Sequence, residues 1–553
     1  MSEMNDANPT VVFDKPVGLA MSGGGYRAAA FHLGALSFLR RMSVAGHLPD
    51  VGMISTVSGG TFTGMKYALS LALGQSFDDY FCELYHFLEN SDPIKQAFDQ
   101  LASRRRESPT KAGRRNSLIV AISDVYARDL LADAKGRPYR LKLLLDDLGK
   151  NRLQAFVFNA TEFDRGLAFR FQGSAKRKVR IGNYFMEVSR EGAAVIRLAD
   201  ILAASSCFPA GFEPISFPED FTWPNQCVPP CVAAEFESLP LMDGGIHDNQ
   251  GIEGLFYADQ PAMSDDVKDP EIGMFIISDV DRQARDIMSM PDDIQLNWIG
   301  TLTPQKLRVA MTTAIIICLS TIALTVADSV MSENTSVVAW LTRFFSVAVS
   351  AGVAALLLKP LLSIKAWLRT NIGSLPTDVT WQDLKKIPLR QLASMVQLRG
   401  ISLVNMAMYV FMRRIRQLGF GLIYRSDQFK HRRVSNLIYS LERGWKLGKL
   451  APPPSPAMKN VIAAATGMGL ALSFKEKHHL PSLVAAGQCS MCYNLMKFLQ
   501  REFGPTPATH ADSRVRALWD QLTQDWEQLN KSPFAFVSQM TSRNDLAAPP
   551  SAP

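Results

Sequence analysis

A buried strand that runs directly into a helix is the feature that most constrains this chain. Gly52 to Val57 is apolar and partly β-branched, as expected for a strand inside a parallel sheet. Ser58, Gly59 and Gly60 follow, and a helical pattern runs from Thr61 to Leu73. A serine on such a turn points its hydroxyl away from the sheet, near helix N-terminal N–H groups that can stabilise an oxyanion. The stretch predicts a nucleophilic serine, with an ordinary small-residue turn as the alternative.

A second strand enters a triple glycine near the N-terminus. Val17 to Met21 predicts the strand, residues 23–25 are all glycine, and Tyr26 to Arg41 predicts a helix. The N–H groups of a glycine turn at a helix start can hold an oxyanion or a phosphate. Arg27 adds a cation in the first helical turn, and His32 is expected to pack between the helix and the sheet.

An aspartate follows a third apolar run. Leu239 to Met242 predicts a short strand, and Asp243 at its end precedes Gly244 and Gly245. A carboxylate at that position can accept the proton of the serine if the two groups reach hydrogen-bonding distance. A Ser-His-Asp triad that uses His247 is the alternative.

Together, these stretches resemble the patatin-like phospholipases, which share their core with the cytosolic calcium-dependent phospholipases. That family uses a Ser-Asp dyad with no histidine. Four family-like stretches occur in the family's order: Gly23-Gly24-Gly25-Tyr26-Arg27, the elbow around Ser58, the run from Ala204-Ser205 to Pro214, and Asp243-Gly244-Gly245. The resemblance covers about residues 14–280 and, more loosely, residues 385–500.

The resemblance implies a patatin-like three-layer α/β fold, in which helices flank a central, mostly parallel sheet. It implies that Asp243 deprotonates Ser58, which attacks the ester carbonyl of a membrane phospholipid and forms an acyl-enzyme that water hydrolyses. Backbone N–H groups of residues 23–25 would hold the oxyanion, and Arg27 would contact the lipid phosphate or support the loop. This chemistry requires no metal and no other cofactor.

One residue departs from the family pattern. The family elbow is usually Gly-x-Ser-x-Gly, and Thr56 occupies the position of the first glycine. Because threonine is β-branched, a slightly rearranged elbow is expected. Two alternatives to a phospholipase remain. One is a membrane lipid-binding or scaffold protein with an altered site, and the other is a neutral-lipid lipase or a thioesterase.

Two charge-free apolar runs occur in the second half of a chain that is 47% hydrophobic. Val309 to Ala327 has about the length that a helix needs to cross a ~30 Å hydrocarbon core. Phe344 to Leu358 is the second run and extends toward Ile364. Flanking basic residues place both ends in the cytoplasm and the short loop outside. They are Lys306, Arg308, Lys359, Lys365 and Arg369. The pattern predicts a transmembrane hairpin that anchors the chain in the lipid bilayer, with a buried hairpin in a soluble protein as the alternative.

Charge and the N-terminal residues bear on partners and location. The net charge of +7 fits a protein on an anionic lipid surface better than one that binds nucleic acid. Met1 to Pro9 has no basic segment followed by an apolar one, so a cytoplasmic catalytic domain is expected, at the inner membrane if the cell is bacterial. The basic loop Ser103 to Arg115 is expected to be solvated or to contact lipid headgroups.

The seven cysteines are expected to be free thiols, because disulfides are rare in the cytoplasm. A zinc site formed by two pairs of cysteines is the alternative. The pairs are Cys227 with Cys231, and Cys489 with Cys492.

The chain is predicted to divide into four parts. Residues 12–300 form the catalytic core and 305–368 the transmembrane hairpin. Residues 370–505 form a mostly helical part that completes the catalytic domain, and 506–553 form a helix and a disordered tail.

The part that follows the apolar runs contains a basic helical segment. Leu389 to Gly419 predicts a helix with Arg413, Arg414 and Arg416 on one face, and Gly419 to Tyr424 predicts a further strand.

Overall fold

The computed structural model describes residues 12–104, 114–176, 179–209, 211–259, 271–281, 298–331, 336–372, 385–469 and 471–542. The chain divides into two compact units. The first combines Met1–Arg285 with Ala407–Pro553, and the second is Asp286–Met406. All strands and all residues of the candidate site described below belong to the first unit.

The described residues contain one ten-stranded sheet. Its strands are β1 (Val17–Met21), β2 (Val51–Val57), β3 (Ala155–Glu162), β4 (Leu167–Ser174), β5 (Arg180–Gly182), β6 (Glu187–Val188), β7 (Ile215–Phe217), β8 (Leu239–Asp243), β9 (Met274–Asp279) and β10 (Arg433–Leu437).

Helices occupy most of the remaining described chain. Those before the second unit are α1 (Gly25–Val44), α2 (Gly59–Ala72), α3 (Phe77–Asn90), α4 (Pro93–Arg104), α5 (Leu118–Asp129), α6 (Leu141–Asp147), α7 (Arg190–Ala194), α8 (Leu198–Ser206), α9 (Pro230–Ala233), α10 (Gly245–Asp248) and α11 (Ile252–Asp259). The second unit contains α12 (Pro304–Met331), α13 (Val337–Ile372) and α14 (Leu389–Asn405). The first unit then continues with α15 (Met412–Arg425), α16 (Asp427–Lys430), α17 (Ser440–Lys446), α18 (Pro456–Gly467), α19 (His479–Phe503), α20 (Ser513–Lys531) and α21 (Ala535–Ser542).

The sheet has the order β10-β9-β1-β2-β3-β4-β5-β6, with β8 paired to β3 and β7 paired to β8. The strands from β10 to β3 are parallel to their neighbours, whereas the pairs from β3 to β6 and those of β8 are antiparallel. Every residue of β1 and β2 is buried, as expected for parallel strands covered by helices on both faces. The predicted α/β fold with a central sheet flanked by helices is confirmed, and the sheet is mixed.

Strand β3 extends beyond β2, and this difference brings two strand ends together. β2 pairs with β3 as far as Val57, which lies opposite Asn159. The antiparallel strand β8 continues along β3, with Asp243 opposite Ala160. The ends of β2 and β8 therefore meet on consecutive residues of β3, which places Ser58 beside Asp243.

Two glycines allow α1 to pack directly on α19. A Cβ at Gly34 would lie 2.0 Å from the carbonyl oxygen of Val484, and a Cβ at Gly487 would lie 2.1 Å from that of Phe31. No larger side chain fits at either position without a shift of the backbone. The C-terminal part of the chain thus covers the helix that follows the glycine turn.

The prediction of a strand at Gly419–Tyr424 is wrong, because these residues lie in α15. One face of this helix packs on the core. Ile423 is fully buried and Phe420 packs against the same cluster, while a Cβ at Gly419 would lie 2.8 Å from Oε1 of Gln250. The strand of this part of the chain is β10, which adds to the parallel half of the sheet.

The second unit contains long apolar helices. Pro304–Met331 and Val337–Leu358 have mean hydropathies of 2.2 and 1.9 over their most apolar windows, in which no residue is buried. Arg343 and Asp328 form an ion pair of 2.8 Å between α12 and α13. A third stretch, Leu389–Arg425, has a mean hydropathy of 1.3. Three helices of the described chain are therefore long and apolar enough to cross a membrane, whereas the sequence predicted two spans.

Candidate active site

Ser58 lies on the turn between β2 and α2 in a backbone conformation that few residues adopt. Its φ is +50° and its ψ is −117°, a conformation that costs about 1–3 kcal/mol for a residue other than glycine. The Ser58 N–H donates to Oγ of Ser205 at 3.1 Å, and this Oγ donates to the carbonyl oxygen of Asn159 at 2.7 Å. The surrounding structure thus holds a strained serine at the end of a buried strand.

Glycines allow the start of α2 to lie against β1 and the glycine turn. A Cβ at Gly59 would lie 2.2 Å from the carbonyl oxygen of Gly25, and a Cβ at Gly60 would lie 2.4 Å from that of Met21. Neither position has room for a side chain. The two elbow glycines therefore bring the serine turn and the glycine turn into contact.

Thr56, the residue that departs from the family pattern, is accommodated by a glycine on α2. Its Cγ2 lies 2.4 Å from the position that a Cβ at Gly64 would occupy. Its hydroxyl lies 2.9 Å from that of Thr61, which in turn lies 2.8 Å from Oγ of Ser205. Thr56 therefore belongs to the hydrogen-bonded group that supports the elbow, and the space it needs comes from the helix.

Asp243 lies at the end of β8 with a buried carboxylate. Its Oδ1 accepts the N–H of Gly245 at 2.7 Å, and its carbonyl oxygen accepts the hydroxyl of Thr161 at 2.9 Å. Burial raises the pKa of Asp243 from 3.8 to about 6, and a hydrogen bond from the Ser58 hydroxyl, the Gly245 N–H and the charge of Arg416 oppose the shift. The structure thus brings together a serine hydroxyl and a carboxyl group that titrates close to neutrality.

The two glycines that follow Asp243 also lie in close contacts. A Cβ at Gly244 would lie 2.5 Å from the carbonyl oxygen of Asn159, and a Cβ at Gly245 would lie 2.7 Å from Cε of Met412. The first contact holds the turn against β3. The second shows that α15 packs directly on the turn after the aspartate.

The glycine loop lies beside the serine. A Cβ at Gly23 would lie 3.1 Å from the Cβ of Ser58, and the Gly23 N–H donates to the carbonyl oxygen of Asn249 at 3.0 Å. Gly24 and Gly25 have φ values of +149° and +61°, and within the described chain their N–H groups make no hydrogen bond. Of the three predicted donors, Gly24 and Gly25 therefore have N–H groups available to a ligand.

Arg27 is buried, with 4% of its surface exposed. Its Nη1 donates to the carbonyl oxygen of Met468 at 2.9 Å, and the neighbouring Tyr26 N–H donates to that of Ala471 at 2.9 Å. These two contacts connect the glycine loop to the segment after α18. Of the two roles predicted for Arg27, the geometry favours support of the loop.

Among the described contacts, neither His32 nor His247 touches Ser58 or Asp243. His32 is fully buried, with Nε2 lying 3.0 Å from the carbonyl oxygen of Ser22 and Nδ1 lying 2.9 Å from Oγ of Ser278. Burial lowers the pKa of His32 to about 4, so this ring is neutral at pH 7. His247 lies 3.2 Å from the carboxylate of Glu253. The described partner of Ser58 is therefore an aspartate.

One charged residue that acts on Asp243 has no distinguishing signal in the sequence. Arg416, on α15, is only 12% exposed at its side chain, and its charge lowers the pKa of Asp243. From the sequence it was one of three arginines on a basic helix face, and no spacing distinguished it from Arg413 or Arg414. Its position depends on how α15 packs.

The four cysteines considered for zinc form no cluster in the described part of the chain. Cys227 and Cys231 are exposed, Cys489 and Cys492 are buried, and all four are free thiols. One described group has ligand atoms close enough together for a metal ion, and it contains none of these cysteines and no residue of the dyad. It consists of Glu476, His478 and His479.

One comparison with known proteins concerns the same part of the chain. A family model described as patatin-like phospholipase matches residues 19–256. No curated protein matches the chain. Among solved structures, human GIVD cytosolic phospholipase A2 is similar with 17% sequence identity and a TM-score of 0.25, over 36% of this chain and 28% of that chain.

The same human enzyme, in complex with methyl gamma-linolenyl fluorophosphonate and terbium chloride, is similar with 15% identity and a TM-score of 0.23. This match covers 37% of the present chain and 31% of the human one. The chain thus spans less than a third of the length of the solved structures that it matches. The family resemblance predicted from the glycine turn, the elbow and the aspartate is confirmed, and the chain carries a patatin-like phospholipase domain at residues 19–256.

Proposed function

We propose that this protein is a membrane-anchored serine acyl hydrolase that cleaves ester bonds of phospholipids. The patatin-like phospholipase domain supports the broader activity, hydrolysis of lipid acyl esters. The observation that carries the specific proposal is the pairing of Ser58, strained at the end of β2, with the buried carboxylate of Asp243 at the end of β8.

In the proposed acylation step, Asp243 accepts the proton of the Ser58 hydroxyl while Oγ attacks the ester carbonyl carbon. The carbonyl electrons move to oxygen, and the N–H groups of Gly24 and Gly25 hold this oxyanion. When the tetrahedral intermediate collapses, the ester C–O bond breaks and the leaving alcohol takes the proton from Asp243. The products of this half-reaction are a lysophospholipid and an acyl group on Ser58.

Deacylation repeats the same steps with water. Asp243 accepts a proton from water, the hydroxide oxygen attacks the acyl carbonyl, and the proton returns to Oγ of Ser58 as the fatty acid leaves. A carboxyl whose pKa is about 6 suits both directions. It is mostly ionised at pH 7 and can accept a proton, yet it holds that proton tightly enough to return it.

We place the membrane anchor at α12 and α13. Their apolar windows have the highest mean hydropathies in the described chain and contain no buried residue, which favours lipid contact over the alternative of a buried hairpin. The third apolar stretch includes Arg390, Arg399, Arg413 and Arg414, which makes it costlier to place at the bilayer centre. The two-span topology with both hairpin ends in the cytoplasm remains the proposal.

The function is tested by lipid hydrolysis in detergent-solubilised full-length protein. Wild type, Ser58→Ala and Asp243→Asn are each given a diacyl phospholipid, a monoacyl phospholipid and a triacylglycerol, with and without a metal chelator. The proposal predicts fatty acid release from the phospholipids by wild type only, unaffected by chelator. Release from triacylglycerol alone would make the protein a neutral-lipid lipase, and well-folded wild type that hydrolyses none of the lipids would contradict the hydrolase assignment.

A further inference from the structure

Arg416 forms several polar contacts at the edge of the site. Its Nη1 donates to Oδ1 of Asp281 at 2.9 Å, and its Nε lies 3.5 Å from Oδ1 of Asp279. With the amide of Asn249 oriented so that its oxygen faces the guanidinium, that oxygen accepts from Nε at 3.2 Å and from Nη2 at 3.0 Å. One planar cation therefore joins the end of β9 to the loop after α10, an arrangement that suits arginine better than lysine.

Asn249 connects this cation to the glycine loop. Its side chain contacts Arg416, and its backbone carbonyl accepts the N–H of Gly23. Gly23 directly precedes Gly24, the first of the two glycines whose N–H groups are available to an oxyanion. A change in the position of Arg416 would therefore reach the glycine loop through a single residue.

We propose that Arg416 is a positioning residue for the dyad, which keeps Asp243 ionised and fixes the glycine loop through Asn249. This inference rests on the proposed function. Arg416 touches neither the nucleophile nor the carbonyl under attack, so its effect passes through Asp243 and Asn249.

The electrostatic part of the inference follows from the charges around Arg416. Asp279 is almost fully buried, and the side chain of Asp281 is 28% exposed. The positive charge of Arg416 favours the ionised form of Asp243 and so lowers the pKa of that carboxyl group. Other titratable groups lie near α15 or Asp243. They are His247 and Asp248 on α10, Glu253 on α11, and Cys207 at the end of α8. The carbonyl oxygen of Cys207 accepts the N–H of Asp243 at 2.9 Å, and burial together with the Asp243 charge raises the pKa of the Cys207 thiol.

The test measures the rate at which Ser58 reacts with a long-chain alkyl fluorophosphonate between pH 5 and pH 9. In this reaction Oγ forms a bond to phosphorus, the P–F bond breaks, fluoride leaves and Asp243 takes the serine proton. Mass spectrometry of the full-length protein in detergent follows the adduct, with Ser58→Ala as the blank. The readout needs no lipid turnover, and the midpoint of its fall at low pH reports the ionisation of Asp243.

Three variants give distinct expected results. Arg416→Gln should move the low-pH midpoint upward by about one unit, because an opposite charge near the carboxyl is lost. Arg416→Lys should keep the midpoint near that of wild type, because the positive charge remains. It should react about tenfold more slowly at every pH, because an ammonium group cannot make the several directed hydrogen bonds of the guanidinium. Asp281→Asn should slow the reaction at every pH, because it removes a carboxylate that holds the Arg416 guanidinium in place.

Arg414→Gln is the matched control, since Arg414 is exposed on the same helix, and it should behave as wild type. An Arg416→Gln protein with the wild-type midpoint would overturn the inference. If that variant does not fold, the labelling rates of Arg416→Lys and Asp281→Asn decide instead, and rates equal to that of wild type in both variants would overturn it. Wild type that is labelled but has no Arg416-dependent shift refutes only this inference, whereas wild type that is never labelled at Ser58 refutes the proposed function as well.

Discussion

The turns that carry Ser58 and Asp243 and the helix that carries Arg416 meet at one site, but they differ in what the sequence shows of them. Each turn requires a backbone conformation or a close approach that only small residues permit, and so it leaves glycines at fixed positions. The position of Arg416 depends only on the orientation in which α15 packs, and this orientation leaves no recognisable pattern in the nearby sequence. The glycines that permit a strained or closely packed turn can therefore be recognised in a sequence. A side chain that reaches the site only through the packing of a helix cannot be recognised in this way.

The largest expected effect follows from the loss of the Asp243 carboxylate. Asp243→Asn preserves shape but removes the proposed base, so kcat/KM for phospholipid should fall by about 10³-fold or more. The same variant should be more stable than wild type at pH 7. An unchanged kcat/KM would show that another group accepts the serine proton, with His247 to be tested next.

The stability effect of Asp243→Asn follows from its pKa. Because the folded pKa of about 6 lies above the usual 3.8, the folded protein binds the proton more tightly than the unfolded chain. Wild-type stability should therefore fall as the pH rises from about 4 to 6, by up to about 3 kcal/mol. Thermal unfolding in detergent across this range should show the fall in wild type and not in Asp243→Asn.

A second prediction distinguishes the effect of a steric clash from the effect of backbone strain when a glycine is replaced by alanine. Gly25→Ala places a Cβ 2.5 Å from the carbonyl oxygen of Ala471 at a φ of +61°, whereas Gly46 has a φ of +74° and open space around its Cβ position. Gly25→Ala should lower kcat about 100-fold, because a displacement of about 1 Å at the oxyanion donors suffices. Gly46→Ala should leave kcat unchanged. Equal effects of both substitutions would mean that strain, not contact, matters.

A third prediction distinguishes the two roles of Arg27. If Arg27 supports the glycine loop through Met468, Arg27→Gln should lower kcat/KM about tenfold to 100-fold on a phospholipid and equally on an uncharged diacylglycerol. If Arg27 binds the lipid phosphate, the loss should appear on the phospholipid alone. The ratio of the two losses is the measurement, and the structure favours a ratio near one because of the Met468 contact.

The smallest expected effect concerns Thr56 and its partner glycine. Gly64→Ala should destabilise the protein by about 1–3 kcal/mol through overpacking against Thr56. Adding Thr56→Gly should recover much of that loss, and the coupling in the double-mutant cycle should be about 1 kcal/mol or more. Additive changes in unfolding temperature would show that the helix glycine does not compensate for the strand threonine.

The sequence predicted the strand and the helix on either side of the first glycine turn closely. β1 spans Val17–Met21 as predicted, and α1 begins one residue before the predicted Tyr26. These elements are predictable because buried parallel strands are continuously apolar and glycines interrupt them where the chain turns. The family motifs then related Ser58 to Asp243 across the chain, which periodicity alone does not do.

The rest depended on contacts distant in sequence. The strand predicted at Gly419–Tyr424 is a helix because Phe420 and Ile423 pack on the core at helical spacing, whereas a short apolar run is ambiguous between the two. The hydrogen bond from the Gly23 N–H to the Asn249 carbonyl oxygen and the effect of the Arg416 charge on Asp243 also join residues that are distant in sequence. No property of the isolated segments specifies them.

Detection of an acyl group on Ser58 tests the proposed acyl-enzyme mechanism directly. Full-length protein in detergent is mixed with a diacyl phospholipid, quenched in acid within the first turnover, and mapped by mass spectrometry of its peptides. We expect the peptide containing Ser58 to gain the mass of one acyl chain in wild type, and we expect Ser58→Ala to show neither the adduct nor fatty acid release. Hydrolysis that continues in Ser58→Ala, with no acylated peptide in wild type, would contradict this mechanism.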